Sequence, residues 1–205
     1  MKSSSHINLQ TQSSQSSQTS VILNNKTVDH LLSVAKKSNS TKKEVASALT
    51  IDNNNSSTTV VQVHGQSTSG SVSYTHRDLH NALQTDSYTT TQGIQFHTHI
   101  QSLNHANVHS NQDETQHTKN IAQSRTGYGS QIRNCLGNGI IGVRKDGGFS
   151  IKARGSDDNL IQWSYGGTLA EELIFDQKGK LKGFNTDSTL DPQDNTPDSR
   201  DYQSK

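Results

Sequence analysis

Ten histidines are the residues of this 205-residue chain best suited to chemistry, and eight of them fall between His64 and His117. Within that stretch, Ile94, Phe96, Thr98 and Ile100 alternate with Gln95, His97, His99 and Gln101. A period of two marks a strand with one buried face. It sets His97 and His99 on one side, about 7 Å apart at their Cα atoms, so both imidazoles can turn toward a single ion. His76 with His80, and His105 with His109, are spaced four apart and share a face wherever the chain is helical. Imidazole is a ligand for zinc, nickel and copper. The candidate metal ligands are therefore His97, His99, His105 and His109. No cofactor is demanded by the sequence, and zinc or nickel is the ion this pattern would take.

Taken by itself, the His97-x-His99 pair resembles the ligand pair of cupin barrels. Leu103 and Asn104 stand where that family carries an acidic residue a few positions on, and the next carboxylates are Asp113 and Glu114. Other chemistry is incomplete. His76 to Leu79 spell HRDL, part of a kinase catalytic loop, but Leu83 occupies the place of its asparagine. Gly137-Asn138-Gly139 precedes a strand pattern with no Gly-Lys-Ser/Thr behind it, which is not a phosphate loop. Glu171 and Glu172 are adjacent, so on a strand they face opposite sides and cannot work as an acid–base pair. Cys135 is the single cysteine, which excludes an intrachain disulfide and reads as a small residue entering a strand. With no complete catalytic signature, a non-enzymatic protein is expected.

The elements that must position these residues are sparse. Only 27% of the chain is hydrophobic, while the net charge is +1. Polar, nearly neutral sequence has little to bury and stays disordered over long stretches. Residues 1–26 are such an arm, with Ser, Thr, Asn and Gln dominant and no acidic residue before Asp29. In composition the arm resembles the Ser/Gln/Ile-rich leaderless signals of bacterial type III secreted effectors. A helical hairpin is expected over 27–51. Thr27 caps its first helix, whose face is Val28, Leu31, Leu32 and Ala35; Thr41 and Glu44 form a capping box for the second, TKKEVASALT. The loop 52–55 and the strand pattern after it do not continue a helix-turn-helix, and no arginine precedes Arg77, so nucleic acid is not an expected partner. Residues 52–126 read as a polar region with isolated strands, a short helix capped by Thr75 and a linker.

Residues 127–184 hold the only tryptophan and three of the four phenylalanines, so the folded core is expected there. Apolar alternation around Ile141, Phe149, Ile151, Ile161, Trp163, Phe175 and Leu181, broken by Asp146-Gly147-Gly148 and Gly166-Gly167, predicts an antiparallel meander. The patterned stretch from Gly137 to Phe184, about 48 residues, makes a small core, so the module should need added strands or a partner. Residues 185–205 carry both prolines and read as a disordered acidic tail.

The fold class expected is mostly β with extensive disorder, a small C-terminal meander and one or two short helices near the N-terminus. The function expected is interaction or assembly through a β-rich module, binding a protein partner or further copies of itself through Trp163, Tyr165, Phe149 and Phe175 or an open strand edge. The alternatives are a secreted effector acting on a host partner and a histidine-based metal binder. No apolar run approaches the roughly 18 residues of a membrane span. No secretory leader is recognised, so export would be leaderless and the chain is otherwise cytoplasmic.

Overall fold

The computed structural model describes residues 18–75, 92–101 and 134–186, with positions 78, 82, 113, 115–119 and 122 between them. The expected arm over 1–17 and tail over 187–205 lie outside the described residues. Among the described residues β-strands dominate.

The chain begins with strand β1 (Ser20–Ile22) and helix α1 (Asn25–Thr41). Asn24 rather than Thr27 caps the helix, its side-chain oxygen accepting from the Thr27 amide at 2.9 Å. Thr27 lies one turn inside, where its hydroxyl meets that of Ser57 at 2.8 Å. Val28, Leu31, Leu32 and Ala35 form the buried face, as their spacing predicts. The helix runs through the weak formers Ser38, Asn39 and Ser40 because tertiary contacts hold it. Ser38 bonds both the Lys43 carbonyl and the Thr98 hydroxyl, each at 2.7 Å. It stops at Lys42, whose φ of 54° is left-handed.

The expected second helix does not form. Ala46–Ile51 is strand β2, set between β3 (Ser57–Val63) and β6 (Gln92–Ile100). A strand covered on both faces loses the alternation that identifies it. Here Ala46 and Ala48 are buried on one side and Val45, Leu49 and Ile51 on the other, which left a pattern readable as a helix. A two-stranded hairpin, β4 (Gln66–Ser67) and β5 (Val72–Ser73), follows β3. Asp78 and Ala82 are helical, and Thr75 exchanges hydrogen bonds with Asp78 in the cap expected of it.

The remaining strands are β7 (Asn134–Val143), β8 (Phe149–Gly155), β9 (Gln162–Tyr165), β10 (Thr168–Ala170), β11 (Glu172–Phe175) and β12 (Leu181–Asn185). The main sheet has seven strands in the order β12-β11-β8-β7-β6-β2-β3. The expected C-terminal meander is present as β7, β8, β11 and β12, each antiparallel to the next. Strands β9 and β10 leave it and form a second sheet with β1, which joins β9 in parallel. Residues 18–26, expected to belong to the arm, therefore contribute a strand and the start of the helix.

One hydrophobic cluster runs from Val21 through α1 and the sheet to Phe175. The C-terminal strands are completed by α1, β2 and β6 rather than standing as a separate module. Gly139 shows how closely this core is packed, since a Cβ there would meet the Phe96 ring at 2.4 Å. Only β6 and β7 pair in parallel within the main sheet. Parallel neighbours require a crossover, and residues 101–133 supply it. Among the described residues no helix is long and apolar enough to cross a membrane.

Candidate metal centre

The two faces of β6 divide as their alternation predicts. Ile94 and Phe96 join the core under α1, and the Thr98 hydroxyl bonds Ser38 of that helix. His97 and His99 project from the opposite face. That face is not open to solvent: Gln95, His99 and Gln101 are all buried. Positions 113 and 115–119 of the crossover are helical and bring Asp113 onto it.

The three side chains converge. His97 Nε2 and His99 Nε2 are 2.9 Å apart. Asp113 Oδ1 lies 3.1 Å from His97 Nε2, and Asp113 Oδ2 lies 3.5 Å from His99 Nε2. One donor atom from each residue falls within 4.8 Å of the others. Burial opposes ionisation of Asp113, but hydrogen bonds from His97 and His99 and their charges outweigh it and hold the carboxyl well below the ordinary range. A carboxylate and two imidazoles are donors of the kind a transition-metal cation takes once the rings are neutral.

Glu44 completes the surroundings. The Thr98 amide donates to the Val45 carbonyl at 3.0 Å, continuing the β2–β6 register that pairs Ala46 with His97. That register sets Glu44 opposite His99 on the same face. Its backbone is fixed by a 2.8 Å hydrogen bond from its amide to the Thr68 carbonyl. The side chain is buried. Burial pushes its carboxyl up to about 7, with His99 opposing and Asp113 reinforcing the rise.

The same face continues across the sheet in polar residues. Tyr74 donates to Gln95 at 2.6 Å. Lys152 of β8 and Glu172 of β11 are both buried, with Nζ 3.6 Å from Oε2, and Asn185 donates to Glu172 at 2.6 Å. On the crossover, His117 meets Asn138 of β7 and Asp158 of the β8–β9 loop.

Of the predicted ligands, His97 and His99 come together, whereas His105 and His109 lie outside the described residues, as do His76 and His80. Asp113 takes the place that sequence spacing left empty, because a crossover brings it back over the strand. The predicted interaction surface is corrected. Trp163, Phe149 and Phe175 are wholly buried, Phe149 and Phe175 stacked at 4.9 Å between centroids. Tyr165 is half-buried with its ring edge on Phe175. In a chain so poor in apolar residues the largest ones are spent on the core. Glu44 was hidden by its reading as a capping-box residue; the β2–β6 register, which no local pattern shows, is what sets it beside His99.

No protein-family model matches this sequence, and comparison with curated proteins finds no significant match.

Proposed function

We propose that this chain is a divalent transition-metal-binding protein, with His97, His99 and Asp113 as ligands and Glu44 as an acidic neighbour. The observation that carries it is the gathering of two imidazoles and one carboxylate, contributed by two elements, with their donor atoms within 4.8 Å of one another. With metal–nitrogen bonds of about 2.1 Å, a tetrahedral site separates its nitrogens by about 3.4 Å. The observed 2.9 Å is a hydrogen-bond separation between the two rings, so taking up zinc or nickel exchanges that bond for two metal–nitrogen bonds and opens the pair. Three protein ligands leave coordination positions for water or a small oxygen donor.

The test is equilibrium dialysis of the full chain against zinc or nickel, with the bound metal counted by mass spectrometry. One ion per chain is expected, lost in His97→Ala/His99→Ala and weakened at least tenfold in Asp113→Asn. A wild-type chain that retains no stoichiometric metal overturns the reading.

A second reading, pairing with a protein partner or another copy by strand addition, is favoured by one feature. Strand β12 lies at the edge of the main sheet, and Phe184 on it is 53% exposed. Open edges accept foreign strands. Concentration-dependent association abolished by Gly183→Pro supports this reading, and a monomer at all concentrations removes it.

A further inference from the structure

Asp113 reaches the histidine pair from the crossover, so the centre depends on whatever holds that crossover to the sheet. Four residues after Asp113, His117 is also helical and is 3% exposed, and two of its contacts reach β7 and the β8–β9 loop. Its Nδ1 lies 3.1 Å from Asn138 Nδ2, and its Nε2 lies 3.3 Å from Asp158 Oδ1. An amide nitrogen only donates, so Nδ1 accepts and the ring proton sits on Nε2, donating to Asp158. Asn138 is on β7 in register with Gln95, two residues from the Ile140 that pairs with His97. Asp158 sits at a left-handed φ of 64°, in a turn where Asp157 accepts from the Asn159 amide at 3.2 Å.

We propose that His117 is a positioning residue, which pins the crossover to β7 and the β8–β9 loop and so aims Asp113 at His97 and His99. Residues four apart at helical positions share a face, which fits 113 and 117 as ligand and anchor. A displacement of about 1 Å takes Asp113 out of hydrogen-bonding range of His97. Partners that orient a ligand commonly change metal affinity by about 10–100-fold. The functional meaning rests on the metal reading above; the positioning itself does not.

The experiment therefore needs a readout without metal. The imidazole nitrogen chemical shifts of His97 and His99 are measured in the metal-free full chain at fixed pH. Asp113→Asn defines the signature of a lost carboxylate. His117→Ala is expected to reproduce it, and His117→Ala/Asp113→Asn to add nothing. His117→Gln, which can still accept from Asn138 and donate to Asp158, is expected to restore most of the wild-type shifts. Should His117→Ala fail to fold, Asn138→Ala is read in the same way. Wild-type shifts in His117→Ala, or in Asn138→Ala where the first variant is unfolded, overturn the proposal. With zinc added, His117→Ala is expected to weaken binding about tenfold and to have no effect in the Asp113→Asn background. If the wild type binds no metal but the shifts follow the expected pattern, the metal reading fails and the positioning role stands.

Discussion

The two faces of the main sheet are built from alternate residues of the same strands and have opposite characters. Under α1 the face is apolar, with Leu49, Ile94, Phe96, Ile141, Phe149, Ile151 and Phe175 in one cluster. On the other face stand Gln95, His99, Lys152 and Glu172, also buried, beside the smaller apolar set Ala46, Ala48, Val63 and Ile140. Central strands buried on both sides are normally apolar on both. Charge placed in such an interior costs free energy unless it is paired. The first face is explained by stability alone. The second keeps costly groups where apolar ones would pack, which is why the candidate centre is placed there.

The sharpest way to break this contrast is to damage the packing against each face in turn. Trp163 is wholly buried, its ring 6.0 Å from that of Phe96. Its Nε1 has no hydrogen-bond partner among the described residues, so its contribution is packing. Trp163→Ala is expected to lower unfolding free energy by about 5 kcal/mol, the upper end for large aromatics, in denaturant titrations. A loss under about 1 kcal/mol would show that the helix-covered face is not the core.

On the polar face, Lys152→Met removes the ammonium 3.6 Å from the buried Glu172 carboxylate, to which Asn185 still donates. Breaking a buried pair from one side costs roughly 3–5 kcal/mol, whereas replacing both members can be nearly neutral. The same titration is expected to show a loss of about 3–4 kcal/mol for Lys152→Met and most of it regained in Lys152→Met/Glu172→Leu. Equal losses in the single and double variants would show that the pair is not acting as a pair.

The contrast also explains what could be read from the sequence. The meander strands were legible because their outer residues are polar and their turns are marked by Asp-Gly and Gly-Gly. Strand β6 was legible for the same reason, and with it the shared face of His97 and His99. Strand β2 was not, since alanines on its second face erased the period of two. Strand β1 was hidden in a Ser- and Gln-rich tract because it pairs with β9 at its far end of the chain, and long-range pairing leaves no local signal. The same limit hid Glu44, which arrives by cross-strand register, and left Asp113 a remote candidate, since only the crossover brings it to the histidines.

Glu44 gives the smallest predicted effect and the one most specific to the polar face. Its carboxyl is raised from 4.5 to about 7, chiefly by burial. A carboxyl whose pKa is higher folded than unfolded favours the native state while neutral. That contribution is fully present below pH 4.5 and is lost as pH rises through about 7. At 1.36 kcal/mol per pH unit the loss is at most about 3 kcal/mol. Glu44→Gln removes the titration while keeping the shape. In metal-free protein the variant should match the wild type near pH 4 and exceed it by about 2–3 kcal/mol above pH 7, read from urea midpoints across the range. A variant that parallels the wild type at every pH would mean that Glu44 ionises without cost. Zinc or nickel should then narrow the gap at pH 8, because a dication beside His99 favours the Glu44 carboxylate. A gap unchanged by the metal would place the ion away from this face, or show that none binds, and would return the buried charges to a purely structural role.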